Sequence, residues 1–145
     1  YGSSSSAKSS VAQTSLHLLW QGFGVGLSTL SVQRTSDGGN RYKLSGRSLD
    51  LSYTFGKGWF YTLGLGLPAG GSGSVSTSTG TYQTSKFGGS SFSGLLGTGW
   101  GGIEGWLGYK AITLQYSDFQ QGGTTLGKPL AVSLGLLVFG IGGSF

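Results

Sequence analysis

The chain has 145 residues, among them 31 Gly, two Pro and no Cys; charged residues make up 9%, aromatic residues 13%, and the formal charge is +5. One domain is the expected size. Gly at this level disfavours helices, and the absence of Cys excludes disulfides and thiolate metal sites. The nine basic residues are scattered rather than set in a stripe interleaved with aromatics, which argues against nucleic acid as a partner. A charge content this far below the roughly 25% of soluble domains calls for another solvent around the outer face, either lipid or a self-assembled β-sheet.

Residues 1–10 read as a flexible polar arm, and 11–145 as a single β-domain. The first strand is expected over about Leu16–Arg34, with Phe23, Val25 and Leu27 alternating with Gly22, Gly24, Gly26 and Ser28. Residues 35–40, Thr-Ser-Asp-Gly-Gly-Asn, form a loop. The second strand, Arg41–Phe55, alternates most cleanly: Leu49, Leu51, Tyr53 and Phe55 share one face and Ser48, Asp50, Ser52 and Thr54 the other. Gly56-Lys57-Gly58 is a tight turn. The third strand starts at Trp59 and sets Trp59, Tyr61, Leu63, Leu65 and Leu67 on one face, aromatics first and Leu after, as a strand leaving a membrane interface would.

From Pro68 to Ser90 the chain reads as a long loop or as strand extensions reaching into water. A fourth strand spans about Ser91–Gly101, with a Gly101-Gly102 turn, and a fifth about Ile103–Asp118. The fifth places Ile103, Leu107, Tyr109 and Ala111 opposite Glu104, Gly108 and Lys110, and a bulge is expected near Ile112–Tyr116. Phe119–Lys128 reads as a loop, and Leu130–Phe145 as the last strand.

Six strands are read directly. Two more, over 11–20 and 75–87, bring the expected count to eight. No apolar run is long enough for a membrane-spanning helix, so a chain that crosses a membrane must do so as a closed β-structure. Connections alternate between short and long, as in antiparallel up-and-down transmembrane β-barrels with short periplasmic turns and long outside loops. That rhythm puts the N-terminal arm and Phe145 on the periplasmic side.

The run Leu49-Asp50-Leu51-Ser52-Tyr53-Thr54-Phe55, the Gly-x-Gly strands and the terminal Phe145 together resemble small outer-membrane barrels of the opacity and OmpA transmembrane-domain type. The resemblance covers about residues 16–145. It implies a Gram-negative outer-membrane location and roles in membrane integrity, adhesion or small-solute passage. It also implies that the C-terminal strand, with Phe139, Ile141 and Phe145, is read by the barrel-assembly machinery.

Export through a removed signal peptide is expected. The partners expected are the lipid bilayer and its lipopolysaccharide, with a homo-oligomer as a further option. Trp20, Trp59, Tyr61, Trp100, Trp106 and Phe145 are the candidate membrane-interface aromatics. Asp50, Glu104 and Lys110 fall on inward faces and are expected to form a polar network, because a buried charge must be paired or wetted. His17, the single His, would have to serve any Ser-His-acid site, with Asp37, Asp50, Glu104 or Asp118 as the acid. No cofactor, metal or catalytic role is expected. The function expected is a structural, adhesion or surface barrel; a small pore and a self-assembling extracellular β-fibre are the alternatives.

Overall fold

A computed structural model describes residues 8–36, 38–127 and 129–143. Among them there is no helix and there are ten strands: β1 Ser9–Trp20, β2 Phe23–Thr35, β3 Arg41–Lys57, β4 Trp59–Thr77, β5 Gly80–Thr84, β6 Lys86–Trp100, β7 Ile103–Ser117, β8 Phe119–Gln121, β9 Thr124–Leu126 and β10 Leu130–Gly143. Seven are long and form one antiparallel up-and-down sheet in the order β1-β2-β3-β4-β6-β7-β10. The upper part of β4 also pairs with β5, and β5, β8 and β9 continue from it as a short flap.

This departs from the expected eight strands in several places. The separate strand expected over 11–20 is present as β1, so the stretch 16–34 is two strands: Gln21 and Gly22 both take positive φ, 50° and 87°, and close a two-residue hairpin with Trp20 opposite Phe23. Such a turn matches the twist of the strands that it joins. Ser9 and Ser10, placed in the arm by composition, open β1. Of the two readings of 68–90 the strand extension is the one found, with β5 inside the strand expected over 75–87, whereas 119–128, expected as a loop, contains the β8–β9 hairpin, closed by Gly122 and Gly123 at φ 54° and 88°. The turns at Gly58 and Gly101-Gly102 fall where expected. No bulge occurs in β7. Its register to β6 and β10 is continuous, so Ile112, Leu114 and Tyr116 stay on the inner face with Lys110.

The short turns at 21–22, 58 and 101–102 lie at one end of the sheet, and the longer connections at the other. Ser9 stands opposite Arg34 at the long-connection end, where the Thr35 amide donates to the Lys8 carbonyl at 2.9 Å. Gly143 stands opposite Ile103 at the short-turn end. The described chain ends therefore lie at opposite ends of the sheet, correcting the expectation that both share one side: seven is an odd number of crossings. β1 and β10 each pair along one edge only, and both run from the long-connection end to the short-turn end. The sheet is not closed.

It is strongly curled. Within the sheet β4 and β6 separate β7 from β3, yet the Tyr116 hydroxyl donates to the Ser45 carbonyl at 3.1 Å. In the half nearer the long connections, the inside of the curl is a hydrophobic core of Leu30, Val32, Leu44, Ile112, Leu114, Tyr116 and Phe119. The inner column of β10, Leu130, Val132, Leu134 and Leu136, packs against it. Gly46 and Gly71 admit the Phe87 ring; a Cβ on either would lie 2.8 Å from it.

Candidate functional site

In the middle of the curl the apolar filling gives way to charge. The cross-strand register aligns His17, Gly26, Asp50, Gly66 and Ser91 in one row across β1, β2, β3, β4 and β6. The row lies on the inner face, and glycine flanks Asp50 on both sides. A Cβ on Gly26 would meet the His17 ring at 2.4 Å, and one on Gly66 would meet Ser91 Oγ at 2.2 Å and Asp50 Oδ1 at 2.5 Å. These two absent side chains make the space in which the polar groups gather.

Lys110 reaches across the curl from β7. Its Nζ donates to Asp50 Oδ2 at 3.1 Å and to Ser28 Oγ at 3.3 Å. Asp50 Oδ2 also accepts from Ser28 Oγ at 2.6 Å, and Oδ1 from Ser48 Oγ at 2.9 Å. The two hydroxyls lie 2.7 Å apart, and His17 Nε2 is 3.7 Å from Asp50 Oδ2. The side chains of Asp50 and Lys110 are only 7% and 9% exposed, so each charge depends on the other and on the serines for the solvation that water would otherwise give. A cavity of about 30 Å3 borders the cluster, with Gln13, Ser91 and Lys110 among its walls.

Of the three inward charges expected to meet, the structure brings together Asp50 and Lys110. Glu104 shares their face but stands opposite Gly99 near the short-turn end, outside the described ion pairs. His17, Ser28 and Ser48 join the cluster and were not in the expected set. The signal for His17 was the glycine between it and Asp50, which is visible only once the register is known. The serines donate to Asp50, and among the described residues no hydroxyl is hydrogen-bonded to His17. The contacts shown are those of charge pairing: Ser28, Ser48 and Lys110 all donate to the Asp50 carboxylate. No group of three or more His, Asp and Glu able to hold a metal ion occurs among the described residues.

The outer face is apolar. Leu16, Leu18 and Trp20 on β1, Phe23, Val25 and Leu27 on β2, and Leu49, Leu51, Tyr53 and Phe55 on β3 point outward and are exposed. So are Trp59, Tyr61, Leu63, Leu65 and Leu67 on β4, Phe92, Leu96 and Trp100 on β6, Ile103, Leu107 and Tyr109 on β7, and Leu137, Phe139 and Ile141 on β10. All seven long strands contribute, always in the half nearer the short turns. Aromatic rings run along that end: Phe23 and Tyr53 have centroids 4.9 Å apart, Tyr53 and Phe55 6.4 Å, and Phe55 and Tyr61 5.6 Å.

Trp20, Trp59, Tyr61 and Trp100 belong to this outer set. Trp106 does not: it is on the inner face of β7, and its ring covers Gly140 and Gly142 of β10. Its parity with Lys110 required this. Phe145 lies outside the described residues. No protein-family model, curated protein or solved structure matches the chain, so the reading of this site rests on its own geometry.

Proposed function

We propose that this chain is an integral outer-membrane β-barrel protein with a structural or surface role. One observation carries the reading: the polarity is inverted, with an apolar belt outside to which all seven long strands contribute and a paired carboxylate and ammonium inside. Soluble monomers rarely expose apolar patches beyond a few hundred Å2. A belt to which seven strands contribute fits acyl chains; because strands can cross a bilayer only where the sheet leaves no edge, the reading requires the free edges of β1 and β10 to be paired in the membrane. The alternation of short and long connections supports the same reading. The hydrophobic core that fills the long-connection half opposes a pore running from end to end. A fibre subunit is disfavoured by the curl, because stacked cross-β layers are flat and bury dry faces against each other.

The test is refolding of the purified chain with and without detergent or phosphatidylcholine vesicles. The expected result is β-type circular dichroism only with amphiphile, heat-modifiable gel mobility, and retention in vesicles under alkaline carbonate wash. A folded, monodisperse monomer in plain buffer would overturn the proposal.

A further inference from the structure

Above the belt, on the same outer face, the surface changes character. The outward column of β3 reads Arg41, Lys43, Ser45, Arg47 and then Leu49, so three cations stand directly over the first apolar residue of the belt. All three are exposed, and none takes part in an ion pair among the described residues. Lys43, the middle cation, stands in the wall of a groove of about 840 Å3 together with Ser31, Gln33, Ser74, Gln83 and Gln120, and Arg41 and Arg47 flank it along the same outward column. Ser45 and Ser72 are hydrogen-bonded at 2.9 Å within it. At its lower border the β3–β4 pairing slips: Arg47 faces Gly70 and Ser48 faces Pro68, which leaves Ala69 unpaired. A bulge of this kind bends the strand and increases its twist.

We infer that this groove binds the head group of a phosphorylated glycolipid whose acyl chains lie along the belt below. Guanidinium and ammonium groups recognise phosphate. Hydroxyls and amides, which both donate and accept, suit sugar hydroxyls. The volume is that of an organic ligand rather than of a lone phosphate. Continuity between the cation column and the belt selects a lipid over a free sugar phosphate. The inference rests on the membrane reading.

The experiment is native mass spectrometry of the full chain released from non-ionic detergent. The probes are lipid A (an acylated glucosamine disaccharide bisphosphate), its dephosphorylated form, phosphatidylglycerol and inorganic phosphate. The chain is expected to bind one lipid A in preference to the others. Arg41→Gln/Lys43→Gln/Arg47→Gln should weaken binding on the order of tenfold or more, while Lys57→Gln, at the short-turn end, should leave it unchanged. Equal binding by the triple variant, an equal loss in Lys57→Gln, equal binding of dephosphorylated lipid or phosphatidylglycerol, or full competition by inorganic phosphate would each overturn the inference. Insertion into phosphatidylcholine vesicles is scored separately. A chain that inserts but binds lipid A indifferently to the triple change defeats the groove alone; one that never inserts defeats the membrane reading and the inference with it.

Discussion

Asp50 and Lys110 are tolerable inside the curl because each is the other's counter-charge and two serines complete the carboxylate's hydrogen bonds. Removing one partner strands a charge. Asp50→Leu or Lys110→Met alone should each cost about 3–5 kcal/mol of stability, whereas the double variant should recover most of that loss. In the double variant Ser28 and Ser48, already 2.7 Å apart, retain each other. Urea unfolding midpoints in vesicles would check this; singles no worse than the double would refute it. Gly66 is a second sensitive position. Gly66→Ala pushes a methyl into Ser91 and Asp50 and should cost about 1–3 kcal/mol by the same measurement.

At the scale of elements, the two-residue turns depend on left-handed backbone. Gly101 and Gly102 close β6–β7 with φ of 61° and 84°. Gly101→Val should lower stability by about 1–2 kcal/mol, and Gly101→Asn by much less, because Asn visits this region readily. Thermal unfolding of the pair would separate them; equal losses would count against the assigned turn.

How much was legible in the sequence varied from element to element for physical reasons. β3 could be read residue by residue because its two faces differ, Leu49 to Phe55 outside and Ser48 to Thr54 inside. β10 hid its alternation because Leu134 and Leu136 enter the core while Leu137 and Phe139 enter the belt, so both columns are apolar. The Gln21-Gly22 turn was legible only as the break after a strand over 11–20, because in a Gly-x-Gly run Gly22 looks like one more small strand residue. β8 and β9 are three residues each, too short for periodicity. Inward parity identified Asp50, Lys110 and Glu104 alike. It carries no information on height along the strand, which is what separates Glu104 from the other two.

On the scale of the whole molecule, the belt predicts a depth-dependent response to charge. Leu65→Arg, on the outer face within the belt, should destabilise the inserted protein by about 2–4 kcal/mol, while Thr113→Arg, outward on β7 above the belt, should cost about 0–1 kcal/mol. Around a water-soluble sheet both exposed sites would tolerate Arg within about 0.5 kcal/mol. Equal, small effects in vesicle unfolding would therefore count against lipid as the solvent of the belt.

The direction of the two free edges carries a consequence in simple arithmetic. Strands that alternate up and down change direction at every step, so seven of them begin and end pointing the same way, as β1 and β10 do. A ring made from these seven alone must contain one parallel seam, β1 against β10. A ring of several copies inserted in one orientation would repeat that seam at every junction, so symmetry cannot remove it. Only an odd number of additional strands makes every neighbour antiparallel. The chain has no Cys of its own. A scan of paired cysteines along β1 and β10 can therefore find the seam without background: disulfides between residues ordered in the same sense along both strands report a parallel seam, and their absence in the inserted protein reports a strand between.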